Sequence, residues 1–351
     1  MQAILEQFQA QIRAATAAKT PLCLRGGGSK DWYGNAPQGA ILDTRGYTGV
    51  VAYEPTELVI TARCGTPLAE IEALLARHNQ MLAFEPPRYS ADSTIGGVVA
   101  CALSGPRRAS AGALRDFVLG AVLMNGQGEV LRFGGQVMKN VAGYDVSRLL
   151  AGSLGALGLI MEVSLKVLPL PVREASLRFE MGEIEALASL NDWAGQPLPI
   201  SASCWHRGVL SLRLSGAGAA VEAAQRKLGG TALPDAEADA YWDSLRDQTH
   251  DFFACASLWR LSLPPQASAI ILNGKQLIEW GGAQRWLAAD AGAAPQIRAS
   301  VAAAGGHATL FRAADKSVGA FHPLAPALAR INQRLYQEFD PAGIFNPGRM
   351  Y

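Results

Sequence analysis

The sequence predicts an α+β protein of more than one domain, its second domain built on an antiparallel sheet. Three observations lead there. The chain has 351 residues, beyond the roughly 100 to 200 usual for one domain. Its first half alternates short strands, glycine turns and helices. At 168–172 the run LPLPV gives a stiff extended connector, because proline fixes φ and removes an amide donor. The predicted divisions are 1–172, a second α+β domain at 173–304, and a C-terminal segment at 305–351.

The elements follow in order. The opening MQAILEQFQAQIRAATAAKT reads as an amphipathic helix carrying Glu6 and Arg13; it lacks the unbroken apolar core of a signal peptide. In GTPLAEIEALLARH, Thr66 stands as N-cap and Pro67 as first helical residue, with Leu68, Ile71, Leu74 and Leu75 on one face. DFVLGAVLMNGQGEVLRF predicts two strands joined at Asn125 to Gly128. MEVSLKV alternates Met161, Val163, Leu165 and Val167 against Glu162, Ser164 and Lys166, the pattern of a half-buried strand. In the second domain EASLRFE and GVLSLRL alternate as strands, AGAAVEAAQRKLGG is a glycine-ended helix, and QLIEWGGAQRWLAA reads as strand, turn, helix. A last helix carries Leu328, Ile331, Leu335 and Phe339 before the turn DPAGIFNPGRMY.

Composition excludes several classes of function. With 31 basic and 30 acidic residues the net charge is +1, which gives no global attraction for nucleic acid or anionic lipid. The five cysteines, Cys23, Cys64, Cys101, Cys204 and Cys255, are far apart and show no metal-ligand spacing, so they read as reduced thiols in a cytoplasmic protein, with no metal site. No apolar run reaches the length of a membrane span.

Glycine is where the sequence speaks. Three consecutive glycines are entropically costly, yet without Cβ atoms they let several amides converge on one anion. RGGGS at 25–29 joins Arg25 and Ser29 to Gly26, Gly27 and Gly28, a cradle for pyrophosphate or a tight surface turn. It matches neither the P-loop nor the G-x-G-x-x-G spacing. STIGGVVACALSGPRR adds Ser93, Thr94, Ile95, Gly96, Gly97, Ser104 and Gly105 beside Arg107 and Arg108, cations for phosphate or an acidic substrate, or a solvated basic pair. VAGYDVSRLLAGSLGALGLI adds Gly143, Gly152, Gly155 and Gly158 around Tyr144, Asp145 and Ser153. Tyr144 and Asp145 touch a cofactor or fix a turn. So many separated close approaches suit a long ligand such as a dinucleotide.

RGGGS, the stretch from Thr94 to Pro171 and the terminal FDPAGIFNPGRM together resemble the FAD-binding proteins of the vanillyl-alcohol oxidase and p-cresol methylhydroxylase type. More closely, they are similar to the E-type FAD-binding subunits of bacterial glycolate dehydrogenases, also called glycolate oxidases. The resemblance implies a two-subdomain FAD-binding domain, to which the C-terminal segment returns. It implies that Arg25 to Ser29 wrap the FAD pyrophosphate. Thr94, Ile95, Gly96, Gly97, Ser104 and Gly105 would lie along the ribityl and phosphate region. Gly152, Ser153, Gly158 and Ile160 would run past the flavin and adenine ends, and Arg349 would return to the flavin site. Some relatives attach the flavin through a histidine near the first loop; Ser29 stands after the glycines here, so noncovalent FAD is expected.

The resemblance also implies partners: a homologous catalytic flavoprotein subunit, and an iron–sulfur subunit passing electrons to membrane quinone, with glycolate or another small 2-hydroxy acid as substrate. It places the chain in the cytoplasm, at the membrane only through those partners. Related dehydrogenases carry a histidine cluster, whereas His78, His206, His250, His307 and His322 are scattered. His307, with Arg312 and Lys316 nearby, is the best substrate-side candidate, and no catalytic residue is assigned. The expectation is a chain that holds FAD and supports electron transfer or assembly while the sister subunit carries the better-equipped active site. The rival readings are a stand-alone NADPH-dependent reductase and a scaffold without cofactor. Six of the seven tryptophans, Trp193, Trp205, Trp242, Trp259, Trp280 and Trp286, fall in the second domain and predict a packed core or a partner surface.

Overall fold

The computed structural model describes residues 1–135 and 145–351; Gly143 and Tyr144 lie outside them. Two sheets organise the chain. The first has five antiparallel strands in the order Val50–Glu54, Val59–Arg63, Leu159–Lys166, Val118–Met124, Val130–Gly134. The last two form the expected hairpin, with Met124 opposite Val130. Helix Leu68–Ala76 buries Leu68, Ile71 and Leu75 against Ile60, Val118 and Leu165 of this sheet. The helix begins one residue later than expected because Thr66 is occupied elsewhere: its hydroxyl accepts from the Gly49 amide at 2.9 Å instead of capping.

A parallel pair, Leu22–Arg25 with Ala40–Asp43, leads into the triple glycine. The N-terminal helix Gln2–Ala18 buries Phe8, Ile12 and Ala15 against Leu22, Leu42, Ile344 and Phe345. The C-terminus thus returns to this pair: the Leu22 amide donates to the Ile344 carbonyl at 2.7 Å, and the Leu24 amide to Asn346 Oδ1 at 2.9 Å.

The second sheet has eight antiparallel strands, in the order Thr231–Ala232, Arg173–Glu180, Val209–Gly216, Ile200–His206, Lys275–Glu279, Gln284–Ala288, Leu258–Ser262, His307–Arg312. His307–Arg312 is an edge strand, which carries the sheet past residue 304. Gln284–Ala288, expected as helix, is a strand: Gly281 and Gly282, both at positive φ, turn the chain back so that Ile278 pairs with Arg285. One face packs Trp259, Leu261, Leu287 and Leu310 on helix Ala294–Ala303. The other turns Leu258, Leu277, Trp286 and Phe311 toward Tyr33, Leu103 and Leu154 of the first half.

A buried ion-pair network joins the halves. Glu85 Oε1 lies 3.3 Å from Arg107 Nε and 2.7 Å from Arg213 of the second sheet, and Arg107 also meets Glu174 at 2.6 Å. Arg107 is therefore neither a phosphate ligand nor a solvated residue; it is 7% exposed and paired across the two halves. No helix among the described residues is long and apolar enough to cross a membrane.

Candidate cofactor-binding site

Strand Leu22–Arg25 delivers the chain into a glycine run that packing dictates. A Cβ on Gly26 would stand 2.2 Å from Thr94 Oγ1, and one on Gly27 would stand 1.6 Å from the Asp92 carbonyl oxygen. Gly28 adopts φ +70°. In this posture the amides of Gly26, Gly27, Gly28, Ser29 and Lys30 have no acceptor among the described residues. Consecutive amides without partners form an anion-binding nest.

The run forms one wall of a groove with two adjoining lobes, open to solvent, of about 560 and 380 Å³ of non-atom space. Both lobes touch Leu24, Arg25, Gly26, Gly97, Ala100, Leu154 and Asn346. Residues 26–30, Cys101 and Arg349 line the larger lobe, while Gly96, Gly155, Gly158 and Ile160 line the smaller. Thr94 borders the larger lobe with its Oγ1 buried and without a partner among the described residues. At Gly97 an added Cβ would meet Thr94 Oγ1 at 3.5 Å, an ordinary van der Waals contact.

The cations are arranged otherwise than the sequence suggests. Arg25 is engaged by Asp31, Nε to Oδ2 at 2.7 Å, and that carboxylate raises its pKa. Arg349 donates to the carbonyls of Asn35 (2.7 Å), Lys30 (3.2 Å) and Asp31 (2.9 Å), so it staples the loop that walls the groove. Among the described residues that line the larger lobe, Lys30, which no sequence motif singles out, is a cation without a carboxylate or carbonyl partner. It is 7% exposed, its ammonium meets Ser29 Oγ at 3.1 Å and the face of Tyr89 among the described residues, and burial lowers its pKa. Asn346 is likewise unmarked in the sequence; it holds Leu24 and Leu154 together across the groove, accepting from one and donating to the Leu154 carbonyl at 2.6 Å. The thiols of Cys23 and Cys101 are raised by burial and that of Cys64 is pushed up to about 12, which keeps these groove cysteines protonated.

The remaining candidates divide. Ile95 is fully buried in the core and Gly96 packs on Cys64, so both seat the helix that presents Gly97. Ser104 and Gly105 do not line the groove: the Ser104 hydroxyl accepts from the Leu114 amide, and Gly105 packs on Glu85. Asp145 pairs with Arg148. Gly152, at φ +88°, and Ser153, which donates to the Leu150 carbonyl, shape the turn that carries Leu154 and Gly155 into the wall. None of the five histidines lines either lobe.

Free amides, a buried hydroxyl and a buried ammonium without a carboxylate are what a pyrophosphate requires. An FAD fits this donor set: Gly26 to Lys30 and Thr94 would hold its phosphates.

Comparison with known proteins agrees. An FAD binding domain family matches residues 4–134. Glycolate oxidase subunit GlcE of Escherichia coli (strain K12) is 50% identical over 351 residues, covering 100% of this chain and 97% of that protein. Glycolate oxidase subunit GlcD of Bacillus subtilis (strain 168) is 30% identical over 173 residues, 48% of this chain and 36% of that one. Among solved structures, alkyldihydroxyacetonephosphate synthase superposes with a TM-score of 0.67 at 14% identity, over 97% of this chain and 74% of its own, a likeness of fold. The groove, the fold and the full-length match together place the chain in the glycolate oxidase subunit GlcE family of FAD-binding oxidoreductase subunits.

Proposed function

We propose that this chain is the FAD-holding subunit of a glycolate (2-hydroxy acid) dehydrogenase complex, working beside a homologous flavoprotein subunit, with electrons leaving through an iron–sulfur subunit to quinone. In this reading it meets the membrane only through those partners. The observation that carries it is the nest at Gly26 to Lys30 beside the unpartnered Thr94 hydroxyl. FAD, when bound, supplies the two-electron oxidant for the C2–H bond of a 2-hydroxy acid.

The chain's own residues bind and orient. The nest and Lys30 neutralise phosphate charge; Arg349 and Asn346 fix the loop and strand that shape the groove. The aromatic cluster of Trp32, Tyr33, Phe311 and Trp286 excludes water where the second sheet closes on the loop. No imidazole stands on the groove walls among the described residues, which supports the reading that the base for the substrate hydroxyl belongs to the sister subunit. Anaerobic glycolate added to the purified holo-chain should leave its flavin spectrum oxidised, and the same addition to the assembled complex should bleach it. Bleaching of the isolated chain at the rate of the complex would overturn the division of labour.

A further inference from the structure

Lys316 lies just past the last strand of the second sheet, His307–Arg312, and its ammonium is spent on carbonyls. It donates to Trp32 at 2.6 Å, to Phe311 at 3.0 Å and to Gly34 at 3.1 Å. An ammonium has three N–H donors, so none is left for a substrate. Lys316 has no ion pair among the described residues. Asp315 beside it accepts from the amide and hydroxyl of Ser317, at 2.8 and 3.0 Å, and Asp31 of the loop is held by Arg25 at 2.7 Å. Burial and the nearby Arg349 lower the Lys316 pKa to about 8, which leaves it charged at neutral pH.

Followed through the backbone, the bond to Trp32 leads to the nest. The peptide group of the Trp32 carbonyl ends in the Tyr33 amide, which donates to the Lys30 carbonyl at 3.0 Å. The peptide group of the Lys30 carbonyl ends in the Asp31 amide, which donates to the Gly28 carbonyl at 3.1 Å. The peptide group of the Gly28 carbonyl ends in the Ser29 amide, which has no acceptor among the described residues. Three peptide groups thus run head to tail from a half-buried ammonium to a free N–H of the nest. Arg349 enters the same row one peptide later, donating to the Lys30 carbonyl at 3.2 Å.

Hydrogen bonds in such a row polarise one another, and away from bulk water the effect is stronger. A positive charge at the carbonyl end therefore makes the last N–H a better donor to an anion. It also fixes direction, since a peptide held by its carbonyl cannot turn its N–H away. The other two bonds hold the ammonium in place. The Gly34 carbonyl shares its peptide with the Asn35 amide, which donates to the Arg349 carbonyl at 3.0 Å, and the Phe311 carbonyl belongs to the edge strand itself.

The geometry points to Lys316 as a positioning residue for the cofactor nest: through three peptide groups it orients and strengthens the Ser29 amide as a donor to phosphate. It touches no ligand itself. The inference rests on the reading of the nest as the FAD phosphate site, and it ties that site to the last strand of the second sheet.

Amide-resolved hydrogen exchange on the flavin-free chain tests the row directly. In the wild type the Asp31 and Tyr33 amides should be protected, and the Ser29 amide should exchange freely until FAD is added. Lys316→Met should speed exchange at Asp31 and Tyr33 at least about tenfold while strand Gln284–Ala288 keeps its protection. Titration of the same proteins with FAD, followed by flavin fluorescence, should show Lys316→Met at least about tenfold weaker than wild type. Lys316→Arg, which restores a charged donor, should recover part of the loss. Asp31 and Tyr33 amides that exchange freely in the wild type, or wild-type FAD affinity in Lys316→Met, would overturn the inference. So would a Lys316→Met chain whose strand protection and FAD affinity fall together without recovery in Lys316→Arg, since the lysine would then serve the fold. A wild-type chain with a protected row that binds no FAD would instead overturn the reading of the nest, and the inference with it.

Discussion

The glycine nest and the inner face of the eight-stranded sheet are built on opposite plans. The nest is made of neighbours in sequence, Gly26 to Lys30, and offers backbone amides. The sheet face is made of residues far apart, Glu174, Arg213, Arg260 and Phe311, and offers side chains that mostly satisfy one another. A ligand cradle written in the backbone needs a local run of residues without side chains; an interface written in side chains needs pairs that only folding brings together. Substitutions in the first should therefore act on flavin, and those in the second on stability.

The largest expected effect is at Gly27. Gly27→Ala places a methyl 1.6 Å from the Asp92 carbonyl oxygen, backbone that cannot give way without moving the helix that follows it. The purified variant should carry no flavin, read by its visible absorbance; full flavin content would break the assignment of this run. Next is Glu85, the carboxylate shared by Arg107 and Arg213. Glu85→Ala leaves two buried cations without their common partner and should cost about 3–5 kcal/mol of stability. Urea unfolding of the flavin-free protein measures it, and a loss below about 1 kcal/mol would reduce the network to the weight of a surface pair.

A pH dependence from Glu279 comes third. Burial raises its pKa from 4.5 to about 7, even though Trp286 and Gln284 donate to it at 2.6 and 3.0 Å. Between those values the unfolded chain has released a proton that the folded chain keeps, so stability falls as pH rises through the window, by up to about 3 kcal/mol. Glu279→Gln should flatten that slope in melting temperatures taken from about pH 5 to about pH 7.5, a range set by the window itself; an unchanged slope would place the titration elsewhere.

The smallest effect, at Thr94, sharpens the contrast because its two readouts diverge. Removing a buried hydroxyl that has no partner among the described residues should leave the flavin-free stability of Thr94→Val unchanged or higher, while FAD affinity falls about tenfold, the worth of about one hydrogen bond. A parallel loss of stability would mean that the hydroxyl serves the fold.

What the sequence disclosed follows the same contrast. Gly26, Gly27, Gly28, Thr94 and Gly97 are legible because adjacency and glycine chemistry suffice to mark a cradle. Lys30 is not, since a lysine after a serine reads as surface until the Tyr89 and Ser29 contacts are seen to enclose it. Arg107 reads as a free cation because its partners lie 22 and 67 residues away. Gln284–Ala288 reads as helix because its composition suits one; the reversal at Gly281 and Gly282 makes it a strand. Ser104 and Gly105 belong to a glycine cluster in sequence, but in space Ser104 accepts from the Leu114 amide and Gly105 accepts from Trp280 of the second half.

The central claim is that the nest and Thr94 hold FAD without a covalent bond. Acid precipitation of the purified chain, followed by the absorbance spectrum of the supernatant, tests it most directly. About one FAD per chain is expected, all of it released to the supernatant. A colourless chain, or flavin that stays with the precipitated protein, would contradict it.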